Sequence, residues 1–324
     1  MSENIWNDLL DANRPTPSEN ETTIIISAQT SSVLKTCMKL IFGISLNDVT
    51  LDTVSYTCKV VPNMTKNGDP ITLHIYTVAL PLSEPILDSL RIFFDGNSTA
   101  YKWVFLLDWV HSDKKTWIKD LYTSFTILED KNMHWVTEGS CSVICGNAEH
   151  IQYLERASPH WNSYKIEFVT QTLRSFCLLK ACGLFSLSEG MNDQFALEIL
   201  RILLAEERIR PSEFIELESL FIPYRSDSVG KIKTLNEEFP VNEVLSQLFI
   251  KGKYENIVPG EVTKSQDDED TSSPSISHDL KFEVDVQKEL AALYEKQKVS
   301  MRSETNFHKP LPEDYNNIFT SYED

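Results

Sequence analysis

Along this chain, β-branched apolar runs alternate with segments whose apolar residues recur every three or four positions. Thr22-Thr23-Ile24-Ile25-Ile26 opens the pattern as a buried central strand. Residues 31–42 follow with helical spacing, with Ser31 or Ser32 near the cap and Gly43 as the stop. Strands are predicted over 54–61 and 71–78, with Asn67-Gly68 between them as a hairpin turn signal. A short helix is predicted over 85–94. Trp103-Val104-Phe105-Leu106-Leu107-Asp108 reads as a strand covered on both faces. Residues 115–128 space Trp117, Leu121, Phe125 and Leu128 three and four apart, the stripe of an amphipathic helix. Strands at 141–146 and 183–187 flank a long helix at 161–179, and a helix at 193–205 closes the series. This alternation predicts an α/β fold, a mostly parallel open sheet covered by helices and joined by right-handed crossovers.

Outside that region the pattern weakens. Phe221-Ile222-Pro223-Tyr224 is a short apolar extension, 227–230 a turn and 242–249 a short helix. The expected organisation is a leader at 1–20, the α/β domain with its extension at 21–250 and an acidic flexible linker at 251–279. A docking helix at 280–299 and an acidic tail at 300–324 complete it. The leader gathers Ile5, Trp6, Leu9 and Leu10 on one side of a helix too short to stand alone in water. It must therefore pack on the domain or on a partner. The linker carries Asp267-Asp268-Glu269-Asp270 and has little to bury. In the late helix, Val284, Leu290 and Leu293 are the docking residues.

Charge narrows the partners. Thirty Lys and Arg stand against 48 Asp and Glu, a formal net charge of -18. Residues 261–324 alone hold fifteen acids and seven bases. This balance argues against nucleic acid, anionic membrane surfaces and direct contact with acidic microtubules. No run approaches the ~18 apolar residues of a membrane span. The polar, acidic start is unlike a signal peptide. Six cysteines, several inside apolar segments, predict buried free thiols in a reduced cytosolic protein. Seven scattered histidines suggest no metal site, and no cofactor is expected.

A strand, a short turn and a helix at 24–42 stand where a mononucleotide-binding fold places its phosphate loop. Such a loop needs glycines so that backbone N–H groups converge on phosphate, then Lys and Ser or Thr. Lys35-Thr36 supplies the last pair, but the two glycine positions hold Gln29 and Leu34. Lys35 and Thr36 then read as ordinary helix residues.

Several blocks resemble one family. They are Ile5-Trp6-Asn7-Asp8-Leu9-Leu10, the strand–turn–helix at 22–43, and Val104-Phe105-Leu106-Leu107-Asp108 with Trp117. The most specific are Leu173-Arg174-Ser175-Phe176-Cys177-Leu178 and Leu220-Phe221-Ile222-Pro223 with Asp227 and Gly230-Lys231-Ile232. Residues 286–298 also resemble a closing helix. The chain is thereby identified as similar to the light intermediate chains of cytoplasmic dynein, in their short fungal form. The resemblance implies a degenerate Ras-like, P-loop GTPase-like domain with terminal extensions. Three further nucleotide motifs depart from the GTPase pattern, near Thr77-Val78, Gly146-Asn147-Ala148-Glu149 and Ser186-Leu187-Ser188-Glu189. Four failures together suggest a fold kept for its shape.

The resemblance implies a non-catalytic subunit that binds and stabilises the dynein heavy-chain tail. It also implies contact with the rest of the motor complex, with regulators or adaptors as further partners. The long adaptor-recruiting tail of vertebrate members is much shorter here. Candidate contacts are the leader (Ile5, Trp6, Leu9, Leu10), the extension (Phe221, Ile222, Pro223, Tyr224) and the late helix (Val284, Leu290, Leu293). Two other classes stand beside this one: an active small GTPase-like regulator, and a generic α/β scaffold unrelated to dynein.

Overall fold

The computed structural model describes residues 21–260 apart from 48–49, 63, 65–67, 95–100, 130–135, 205–209 and 235. The leader residues Ile5, Trp6, Leu9 and Leu10 lie outside the described residues, as do Asn67, the run at 267–270 and Val284, Leu290 and Leu293. The strands are β1 (Glu21–Ala28), β2 (Ser55–Val61), β3 (Ile71–Ala79), β4 (Tyr101–Asp108), β5 (Cys141–Gly146), β6 (Gly183–Leu187) and β7 (Phe221–Ile222). The helices are α1 (Ser31–Leu40), α2 (Glu84–Arg91), α3 (Trp117–Glu129), α4 (Ile151–Ala157), α5 (Ser163–Leu179), α6 (Asp193–Leu203) and α7 (Val229–Lys233). The sheet runs β2-β3-β1-β4-β5-β6-β7. Its interior pairings are parallel, and β2 and β7 close the two edges antiparallel. This is the expected α/β sheet.

Alternation in β1 explains its continuous apolar sequence. Ile24 and Ile26 enter a core built with α1 and α6. Ile25 enters the opposite core, built with α2, α3 and α5. Both faces are covered, so Ile24, Ile25 and Ile26 are all apolar. α1 is capped one residue earlier than the sequence suggests. Thr30 is extended (φ -134, ψ 150) and its Oγ1 accepts from Val33 N at 3.2 Å. Gly43 ends the helix at φ +60, where Ile44 N donates back to Met38 O at 2.8 Å. β2 and β3 form the expected hairpin, closing at Val61 opposite Ile71, with Gly68 at φ +79 in the connection. Cys37, Cys141, Cys145, Cys177 and Cys182 are buried free thiols and Cys58 is exposed. Burial pushes Cys37 and Cys145 up to about 12, so both stay protonated.

One candidate surface is narrowed and one boundary moves. The extension, a candidate contact equally open to packing on its own domain, packs there in part, because β7 adds it to the β6 edge. Phe221 enters one core beside Phe185 and Phe195, at 5.3 and 5.6 Å between ring centroids. Ile222 enters the other core. Pro223 is buried too, which leaves Tyr224, half-buried, as the part of this candidate surface that reaches solvent. The folded region also runs past residue 250. Short helical turns at Gln247–Phe249, Ile250–Tyr254 and Glu255–Ile257 carry Tyr254 into the core. Its hydroxyl donates to Lys114 O at 2.8 Å, and its ring lies 6.1 Å from Phe168. Gly252 and the surrounding Lys, Glu and Asn made this stretch read as linker, but two buried anchors, Tyr254 and Val258, fix it.

The loop after β7 is tied to α5 by a buried ion pair. Arg174 Nε meets Asp227 Oδ2 at 2.7 Å and Nη2 meets Oδ1 at 2.9 Å. The side chains are 3% and 6% exposed. Gln171 Nε2 adds a bond to Ile232 O at 3.1 Å, which fastens α7. Arg174→Ala leaves the Asp227 carboxylate buried without its cation. It is expected to lower unfolding free energy by about 3–5 kcal/mol. Arg174→Lys should recover only part of this, because an ammonium lacks the two-pronged fork. Urea denaturation of the three proteins measures it; a loss under about 1 kcal/mol in the alanine variant is the contrary result.

Candidate functional site

In an open sheet of this winding, ligands bind beyond the strand C-termini where the strand order reverses, here between β1 and β4. The β1–α1 turn and the ends of β4 and β5 converge there. Only Gln29 and Thr30 separate β1 from α1. The helix starts at Ser31, so residues that would form an open phosphate loop are already helical. Leu34 is fully buried in α1, and its N–H donates to Thr30 O at 3.3 Å. Val33 N is taken by the Thr30 side chain. Lys35 is exposed; with Thr36, Lys39 and Glu189 it lines a surface hollow of about 310 Å³.

A carboxylate stands in this crevice. Asp108, at the end of β4, is fully buried. Thr30 Oγ1 donates to its Oδ2 at 2.6 Å, and His111 Nδ1 lies 3.3 Å from the same oxygen. Its Oδ1 accepts from Asn147 Nδ2 at 2.7 Å and from Val110 N at 2.9 Å. Burial alone raises the pKa of this group. The bonds from Thr30, the Val110 N–H, Asn147 and the His111 N–H outweigh it and hold the carboxyl below its ordinary 3.8. Gln29 turns sideways, its Nε2 donating to Asp120 Oδ2 at 3.1 Å, beside Thr116 Oγ1 at 2.7 Å. Burial leaves Asp120 above its ordinary value despite those bonds.

The other nucleotide positions have also become structural. Asn147 takes a left-handed backbone (φ 57, ψ 37) that aims its amide at Asp108. Before it, a Cβ on Gly146 would come within 2.3 Å of Val33 Cγ2, so α1 sits directly on the end of β5. Thr77 and Val78 lie inside β3, paired with Ile26 and Ser27. Ser186 is buried in β6 and its Oγ donates to Leu217 O at 2.5 Å. Glu189 is exposed, and its N–H donates to Glu149 Oε2 at 3.3 Å. The sequence marked Asp108 as a strand end and Asn147 as a failed base reader; their contact with each other was not legible there. Among the described residues no cluster of His, Cys, Asp and Glu is arranged to hold a metal ion. Among them, too, no helix is long and apolar enough to cross a membrane.

Comparison with known proteins gives this arrangement a lineage. A protein of Eremothecium gossypii named cytoplasmic dynein intermediate light chain DYN3 is 31% identical over 332 residues, covering 97% of this chain and 87% of that one. The chain belongs to this family of dynein intermediate light chains. The Saccharomyces cerevisiae protein of the same name is 29% identical, covering 92% of this chain and 98% of its own. The Candida glabrata one is 27% identical, covering 85% and 90%. No protein-family model matches the chain. A crystal structure of the dynein light intermediate chain's conserved domain aligns with a TM-score of 0.55 at 22% identity, over 69% of this chain and 88% of that one. That likeness is one of fold, and the architecture of this family member is accordingly GTPase-like.

The charge on Asp108 predicts an acid-sensitive domain. Its folded pKa is depressed, so the unfolded chain takes up the proton first as pH falls. The stabilisation is complete above about pH 4 and is lost as pH drops through the lower folded value. Asp120, raised by burial, works in the opposite direction and offsets part of the loss. Asp108→Asn should lower stability at pH 7 by about 1–3 kcal/mol, because donors lose their acceptor. It should also flatten the fall in stability below about pH 4. Urea denaturation across that range measures both; an acid limb equally steep in the variant is the contrary result.

Proposed function

We propose that this chain is a non-catalytic accessory subunit of the cytoplasmic dynein motor complex that binds and stabilises the heavy-chain tail. The observation that carries the reading is the likeness to proteins named as dynein intermediate light chains over nearly the whole chain. The crevice geometry supports the non-catalytic part. An ionised, hydrogen-bonded Asp108 stands where nucleotide phosphate binds in this kind of fold, and Lys35 faces solvent. The subunit acts in the cytoplasm, on the cytoskeleton through the motor, with the spindle pole and cell cortex as its working places. Its task is minus-end-directed transport and nuclear and spindle positioning. Regulators or adaptors reach the motor through the same subunit. Neither the active-GTPase alternative nor the unrelated scaffold has an observation in its favour.

Three expected outcomes follow. Purified protein should release no stoichiometric GTP or ATP on denaturation and give no micromolar nucleotide binding by calorimetry; bound nucleotide at either readout contradicts the non-catalytic reading. Affinity isolation should recover the dynein heavy chain as a stoichiometric partner. Within the leader, Trp6 is the proposed anchor on the tail. Trp6→Ala should weaken tail binding by about 2 kcal/mol or more while the melting temperature stays unchanged. Unaltered tail binding in that variant rejects the anchor.

A further inference from the structure

α4, the first turn of α5 and the turn Leu217–Ser219 enclose a groove of about 570 Å³. Its floor is apolar: Ile151 and Ile166 are each 5% exposed, and Leu217 is half-buried beside them. Its rim is acidic, with Glu155, Glu167, Glu216 and Glu218 brought from three separate elements. Among the described residues no Lys or Arg lines it. Among the described residues no ion pair neutralises any of the four carboxylates. Neutral donors hold three of them in place: Ser163 Oγ reaches Glu155 Oε1 at 2.6 Å, Gln152 Nε2 donates to Glu218 Oε1, and Ser219 Oγ donates to Glu216 Oε2 at 3.3 Å. Held but not neutralised, the carboxylates repel one another in the free protein, and a cation arriving between them relieves that repulsion. Two sequence neighbours of lining residues are large and exposed. Tyr164, next to Ser163, is 55% exposed, and Ile215, next to Glu216, is 85% exposed.

We infer that this groove is the docking site for a lysine- or arginine-bearing amphipathic helix of the heavy-chain tail. The inference rests on the dynein reading above and goes beyond it by naming the surface and the chemistry of its occupant. The apolar floor takes the apolar face of such a helix, with anchors spaced three and four residues apart. The acidic rim takes the basic residues that flank those anchors. The rim carboxylates also steer a basic segment toward the floor, which makes the association salt-dependent.

The test uses the full chain and a recombinant heavy-chain tail fragment from the same organism. Glu167→Lys/Glu216→Lys reverses two exposed rim carboxylates. Asp52→Lys/Asp88→Lys makes the same change in net charge at two exposed positions outside the groove. Binding is measured at about 50 and 200 mM salt, together with melting of each protein. The groove variant should bind at least about tenfold more weakly at low salt, with a flattened salt dependence and unchanged melting. The control should stay within about twofold of wild type. Should the groove variant melt early, Glu167→Gln/Glu216→Gln replaces it, with an intermediate loss expected. Unchanged binding of the groove variants, or equal loss in groove and control variants, overturns the inference. A photo-crosslinker at position 167 should capture the tail; capture of residues 261–324 of the chain's own sequence overturns it as well. Absence of any wild-type binding to the tail instead removes the dynein-tail reading on which the inference stands, so the two failures are distinguishable.

Discussion

One buried charge organises this domain. The Asp108 carboxylate receives donors from the β1–α1 turn, from the β5 end and from its own loop. Hydrogen bonds to a charged group contribute about 1.5–3 kcal/mol each, enough together to keep an aspartate ionised in the interior. The consequence for ligands is direct. A phosphate entering the crevice would meet a like charge whose surrounding donors are already in use. At about 4 Å and an effective dielectric near 20, two unit charges of the same sign repel by about 4 kcal/mol. In a fold whose helix N-terminal N–H groups favour anions, the charge and the early start of α1 both work against phosphate.

The residues that depart from the nucleotide pattern around Asp108 have structural partners of their own. Thr30 caps α1 with one side of its hydroxyl and donates to Asp108 with the other. Asn147 supplies the donor from the end of β5. Gly146 lets α1 settle onto that strand end with no room for a methyl group. Thr30, Gly146 and Asn147 thus meet around one carboxylate and one helix start.

Most strands and the larger helices were legible because their apolar positions follow a single period. Ile24-Ile25-Ile26 and 103–108 admit one reading, a strand buried on both faces, and the structure has it. What escaped depended on partners distant in sequence. β7 is two residues long and exists because Phe221 and Ile222 find the β6 edge. Tyr254 looked like linker because its neighbours are charged, yet it packs on Phe168. The Asp108–Asn147 contact joins residues 39 apart, and the acidic groove gathers glutamates from both sides of α5's start and from the turn before β7. Composition recorded the excess of acid without placing any of it.

The resemblance carried by the sequence has a physical counterpart. Its two most specific blocks, around Arg174 and around Asp227, are the two ends of one buried ion pair. That pair fixes α5 to the chain leaving β7, while Ser186 holds Leu217 and the Glu213–Phe221 bridge holds the chain entering β7. The start of α5 and the turn at Leu217 are also walls of the acidic groove. A shallow recognition face loses affinity if its walls must be ordered on binding, so residues that fix the walls in advance raise affinity without touching the partner. The family signature then falls on the scaffold of the docking face rather than on its contacting side chains. The contacting glutamates need only be acidic and near one another, and many arrangements of Asp and Glu meet that requirement. The ion pair needs a planar fork facing a carboxylate across a closed core, which few alternatives meet.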